Sequence, residues 1–195
     1  MERVPRRATP AALLLGLVLF ALLQFVAASC EAPPEPGKAP VTIGVSYTGT
    51  DLVTAHTQVD IAGGLHPSPA QLANIDEVYA VTPVVQWSAI GTALVLLVGA
   101  LLCLAGGPVR AAVAALAATV SLVVTALLAH GMVAAFAAEV LAISAQLPGV
   151  DAPQMESRIG EVIATGPGFW LPLALVVAVL ALDATVLVRA RSADG

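Results

Sequence analysis

Charge is scarce in this chain. Asp, Glu, Lys and Arg supply 11% of the 195 residues, where an ordinary soluble domain carries about 25%. Lys38 is the single lysine. Cysteine is almost as rare, with only Cys30 and Cys103 present. Cys103 lies within one apolar run and Cys30 just past another, towards the opposite face, so no internal disulfide is expected. The signatures of common chemistry are missing as well. Ser46, Ser68 and Ser88 lack the flanking glycines of a nucleophile elbow, and there is no phosphate loop or dinucleotide fingerprint. His56, Asp60 and His66 show neither HxH nor CxxC spacing and read as solvated loop residues. No metal, cofactor or catalytic residue is expected.

What the chain has is apolar sequence. Hydrophobic residues make up 58% of it, gathered into runs at Ala11–Ser29, Ala89–Ala105, Ala111–Ala129 and Phe169–Val188. A hydrocarbon layer of about 30 Å needs roughly 20 helical residues, and each run reaches or approaches that length. The reading is an all-α membrane protein: a four-helix transmembrane bundle with a small extracytoplasmic cap of one β-hairpin and one helix.

Charge position gives the orientation. Arg3, Arg6, Arg7, Arg110, Arg189 and Arg191 flank the runs on one side, and only Lys38 and Arg158 fall on the other. By the positive-inside rule both termini are cytoplasmic. Most acids, from Glu31 to Glu161, then lie outside, which argues against nucleic acid as a partner there. The Ala/Val/Leu bias with almost no lysine points to a bacterial plasma membrane.

The segments follow in order. Residues 1–10 form a cytoplasmic tail, and 11–29 a first span. That run has a second reading as a lipoprotein signal, because Val26-Ala27-Ala28-Ser29-Cys30 resembles a lipobox whose cysteine is lipidated after cleavage. Residues 30–86 form the outer cap. Within it Val41, Ile43, Val45 and Tyr47 alternate with polar or small residues, which predicts a strand. Gly49-Thr50-Asp51 supplies a turn, and Thr57–Ile61 a returning strand. Ser68-Pro69 signals a helix start. A hairpin plus one helix buries too little to stand alone, so the cap is expected to pack on the helix ends or on a partner.

Thr82-Pro83 opens the second helix, whose span covers 87–106. Gly106-Gly107-Pro108 forces a tight antiparallel return into a third helix over 109–146. That helix is about 55 Å long and should project beyond the bilayer. Residues 147–168 form a second outer loop, with a short amphipathic helix expected over Asp151–Thr165. The last span covers 169–188, and 189–195 form a cytoplasmic tail. Ala111, Ala114, Ala115 and Ala118, with Gly91 and Gly99, are small residues suited to close helix contact.

Ionisable residues in spans are functional candidates. Counted from Arg110, His130 lies about 30 Å along, at the outer interface, and Glu139 about 43 Å along, in water. Asp183 sits within about 8 Å of the inner end. It is expected to be satisfied near the headgroups by Arg110 or Arg189, or to grip a partner helix. None is central, which argues against an ion path. Trp87 and Trp170 are interface anchors.

Four helices with both ends inside and a longer first outer loop resemble the claudin and tetraspan arrangement in topology, without the claudin loop cysteines. Tyr47-Thr48-Gly49-Thr50-Asp51-Leu52, followed by the Ala/Leu/Gly-rich hairpin Ala89–Ala129, is similar to small actinobacterial four-helix membrane proteins of the tryptophan-associated type. That family has no established activity, so the resemblance implies fold only. The expected function is a non-enzymatic accessory or scaffold subunit of an envelope complex. Its partners are the lipid bilayer and a membrane protein or further copies of the chain. The rival is a small-molecule-binding or transport-assisting protein with a site between the third-helix extension and the cap.

Overall fold

The computed structural model describes residues 8–32, 41–62, 80–105, 108–144 and 163–193. The expected helix after Ser68-Pro69, the tip of the Gly106–Pro108 turn and most of the second outer loop lie outside the described residues. So does the side chain of Glu139. The chain runs α1 (Ala8–Leu22), β1 (Gln24–Ala32), β2 (Val41–Thr48), α2 (Gly49–Thr54) and β3 (Gln58–Ala62). It continues through α3 (Pro83–Ala105), α4 (Pro108–Ser144), β4 (Ile163–Thr165) and α5 (Pro167–Ala193).

Helices α1, α3, α4 and α5 close a ring: α1 touches α3 and α5, and α4 touches the same two. Each presents one seam inward. On α1 the buried residues include Thr9, Leu13, Gly16 and Phe20; on α3, Val85, Ala89, Thr92, Leu96 and Cys103; on α4, Ala115, Ala118, Leu122, Thr125, Ala129 and Met132. Steps alternating between three and four residues keep a stripe on one side of a helix. The outward faces are equally apolar, with Leu14, Val18, Leu97, Leu101, Leu116, Val120, Val177 and Leu182 exposed. A helix apolar all round belongs in a membrane or a large core. Three helices, α3, α4 and α5, are long and apolar enough to cross a bilayer.

The first apolar run departs from expectation. It is not one span over 11–29. Helix α1 has 15 residues, about 22 Å, and after Leu23 the chain becomes strand. No turn residue separates the two elements; β1 is a strand because partners wait on both sides. It pairs antiparallel with β2, from Gln24↔Thr48 to Ala32↔Val41, and with β4 through Val26↔Thr165, Ala27↔Ala164 and Ala28↔Ile163. With β3 beyond β2, the sheet is four-stranded in the order β3-β2-β1-β4. The architecture is therefore not all-α with a hairpin, but a helical bundle carrying an antiparallel sheet at one end.

Strand β2 spans Val41–Thr48 as its alternation predicts, with Val45 and Tyr47 buried. Two local expectations fail. Gly49-Thr50-Asp51 begins α2 rather than a simple turn, because Thr48 and Asp51 form a reciprocal capping box. The last residues of the expected amphipathic helix, Ile163–Thr165, are strand β4.

The corner between α1 and β1 is clamped by glycines. A Cβ on Gly49 would overlap the Phe20 carbonyl oxygen, one on Gly166 the Gln24 carbonyl oxygen, and one on Gly168 the Leu23 carbonyl oxygen. The Gly166 amide donates to Phe25 O at 2.9 Å, and the Thr50 hydroxyl to Ala21 O at 2.8 Å. Phe25 occupies a bulge between Gln24 and Val26, which turns its ring into the bundle. It makes edge contacts with Phe20 at 5.2 Å and Phe169 at 5.8 Å. Substituting alanine at Gly49, Gly166 or Gly168 forces carbonyls aside and should destabilise the protein by about 1–3 kcal/mol. Gly91 and Gly131 face open space, so alanine there should be neutral or stabilising by up to about 1 kcal/mol. Reversible unfolding in mixed micelles measures both sets.

Candidate functional site

Polar side chains inside an apolar bundle are where function or specificity concentrates, because an unpaired one there costs several kcal/mol. Among the described residues two such groups join one helix to another. The first joins α3 to α4. Ser88 Oγ and Thr125 Oγ1 lie 2.6 Å apart, Thr125 Oγ1 and Thr92 Oγ1 2.7 Å apart, and Thr92 Oγ1 and Ser121 Oγ 2.7 Å apart. The two threonine hydroxyls also reach main-chain carbonyls across the interface, Thr92 to Ser121 O and Thr125 to Ser88 O, each at 3.2 Å. Thr92 and Thr125 are fully buried.

The geometry follows from spacing. Ser88 and Thr92 stand one helical turn apart on α3, as do Ser121 and Thr125 on α4. Antiparallel packing brings the pairs face to face. The chain approaches closely enough because small residues line the same seam: a Cβ on Gly99 would meet Ala114 Cβ and Leu13 Cδ1 at 3.4 Å. Ala114, Ala115 and Ala118 are buried there as their spacing predicts, whereas Gly91 is not part of the contact.

The second group ties the chain's two terminal helices together at the end away from the sheet. Thr9 Oγ1 donates to the Asp183 carboxylate, at 3.2 Å from Oδ2 and 3.4 Å from Oδ1. Thr9 is the hydrogen-bond partner of Asp183 among the described side chains; the side chain of Arg189, one of the two expected partners, lies outside them. Cys103 is buried and free near this end.

The remaining candidates are scattered. His130 is exposed near the sheet end of α4, and Glu139 lies beyond it on the same helix. Neither joins Asp183, which lies at the far end of α5. Trp87 is 71% exposed on α3, as an anchor requires, and Trp170 is 56% exposed, its indole N–H donating to Thr165 Oγ1 at 3.0 Å. Cys30 lies in β1, opposite Ile43 of β2. His56 and Asp60 are exposed, and His66 lies outside the described residues. Among the described residues no three His, Cys, Asp or Glu side chains gather as a metal site.

Between the α4 extension and the sheet lies a buried apolar cluster. Met132, Val133 and Ile163 belong to the same buried cluster as Phe25, Val26, Tyr47 and Leu52, with Phe136 and Ala137 packed against it. The α3 start is secured here as well: the Thr82 amide points at Met132 Sδ at 3.5 Å, and Gln86 Nε2 donates to Val53 O at 3.0 Å. No buried side-chain nitrogen or oxygen among the described residues lacks a hydrogen-bond partner.

The four hydroxyls satisfy one another and two main-chain carbonyls across the α3–α4 interface. What they do is fix the register of α3 on α4. In the sequence Ser88 lacks the glycines of a nucleophile elbow, and Thr92, Ser121, Thr125 and Thr9 stand in no catalytic or ligand motif. The legible signal was a Ser/Thr pair at i and i+4 in each of two runs joined by a tight turn.

Thr92→Val and Thr125→Val should each cost about 1 kcal/mol, with a double-mutant coupling between about 0.6 and 1.7 kcal/mol, in unfolding titrations from mild detergent. No family model matches the chain, and comparison with curated proteins finds no match.

Proposed function

We propose that this protein is a non-enzymatic accessory or scaffold subunit of a bacterial plasma-membrane or envelope complex. In this reading its termini are cytoplasmic, and the sheet cap makes its partner contacts outside. The carrying observation is that the cap grows out of the bundle. Strand β1 continues directly from α1, and the sheet shares one buried cluster with the helices. A cap built this way presents a fixed surface.

The supply of polar groups within the spans supports the same reading. Among the described residues Ser88, Thr92, Ser121 and Thr125 pair across α3 and α4 and Thr9 pairs with Asp183, while Thr119 and Thr185 donate to carbonyls of their own helices. That leaves a bundle held in register, with none of the central charges that ion or proton transfer uses. His56 and Asp60 are exposed on the cap, polar side chains of the kind that meet a polar partner face.

In this reading the first apolar run is retained rather than cleaved before Cys30. Cleavage would remove α1 and every β1 residue that pairs with β4. Affinity purification in mild detergent with mass spectrometry tests both points. The expected result is a stoichiometric membrane-protein partner or a homo-oligomer, with an intact mass that includes residues 1–29. A monomer purifying alone contradicts the scaffold role, and a lipidated species starting at Cys30 contradicts retention.

A further inference from the structure

Nothing local in the sequence stops α1 at Leu22. From Leu17 to Ala32 there is no glycine, asparagine or proline, the residues that commonly end a helix. Ala27 and Ala28, in the middle of β1, are of the residue type with the highest helix propensity and a low strand propensity. The α1 ladder still holds at the Leu23 amide, which donates to Leu19 O at 3.0 Å.

The stop comes from outside the segment, at the two acceptors that a further turn needs. In a continued helix the Gln24 and Phe25 amides would donate to the carbonyls of Phe20 and Ala21, four residues back. The start of α2 meets both carbonyls instead. Gly49 lies so close to the Phe20 carbonyl oxygen that a Cβ on it would overlap that atom. The Thr50 hydroxyl donates to Ala21 O at 2.8 Å, the position that the Phe25 amide would otherwise take. Thr50 is exposed, so this bond lies at the surface and its loss opens nothing in the core.

The segment has a second way to satisfy its main chain. Without strand partners, residues 24–29 cannot leave their amides and carbonyls open beside lipid, and a helix pairs them internally. Carried on to Ser29, α1 would be about 33 Å long, enough for a hydrocarbon layer of about 30 Å. We propose that residues 24–29 are a helix–strand switch governed by the Gly49–Thr50 stop. With the start of α2 docked on Phe20 and Ala21 they are β1; with it withdrawn they continue α1 to Ser29. The device ties the position of α2 in the cap to the length of α1. It goes beyond the accessory role proposed above and depends on no partner.

Phenylalanine reports the switch, because the chain has four. Phe20, Phe136 and Phe169 lie in helices and Phe25 in β1. The full-length protein, isotopically labelled at phenylalanine and reconstituted in phosphatidylcholine vesicles, should show three helical Cα shifts and one strand shift by solid-state NMR. With Gly49→Ala and Thr50→Val together, the Phe25 signal should move into the helical range while the other three stay. A Phe25 signal that remains strand-like, or becomes coil-like, overturns the proposal. If the double variant loses the helical signals of Phe136 and Phe169, Thr50→Val alone decides. It should split the Phe25 signal into strand and helical components, and a Phe25 signal with no helical component overturns the switch.

Discussion

The rest of the fold depends on the corner at Phe20–Gln24, where a helix becomes a strand with no loop between. A helix ending inside a structure leaves carbonyl oxygens without partners, and a strand starting there must find partners at once. Both needs are met by a side-chain hydroxyl and a main-chain amide brought in at contact distance. Thr50 and Gly166 donate to Ala21 and Phe25, and the three glycines at 49, 166 and 168 allow that approach because they have no Cβ. The corner fixes α1 in the ring and β1 in the sheet together. The orientation of the cap is thereby set by the bundle, and β4 is positioned just before α5 begins.

Below the corner, the hydrophobic effect cannot hold the helices together in lipid, because the surroundings are as apolar as the interior. Close packing and hydrogen bonds must do so instead. Gly99 against Ala114 brings α3 and α4 near, and the Ser88–Thr125–Thr92–Ser121 row then sets which turn faces which. Gly16 plays the corresponding part for α1, facing Leu96 of α3 and Val176 of α5 at 3.8 Å. Thr9 on Asp183 closes the ring at the far end. The polar groups described inside the bundle thus fasten one helix to another.

How much of this was legible depended on whether the cause was local. Helices α3, α4 and α5 were visible as long apolar runs bounded by Pro and Gly, and β2 as strict alternation, because each signal lies within the element itself. The strand character of Gln24–Ala32 was not visible. Phe25, Val26, Ala27 and Ala28 extend an apolar run without a break, and periodicity cannot separate a buried strand from a buried helix. Only pairing with β2 and β4, the latter more than a hundred residues away, decides it. Ile163–Thr165 was misread for the same reason. At the candidate sites, Trp87 and Trp170 are exposed near the starts of α3 and α5, positions that their place at the ends of apolar runs made legible. The Asp183 partner was not legible, since Thr9 lies at the other end of the chain.

The central claim is that β1 is a built-in part of the bundle, and hydrogen–deuterium exchange of the full-length protein in lipid tests it most directly. Amides of residues 25–29 should exchange as slowly as those in the middle of α1, because strand and helix open together. Exchange of that segment within seconds, while α1 and α3 stay protected, would contradict the account.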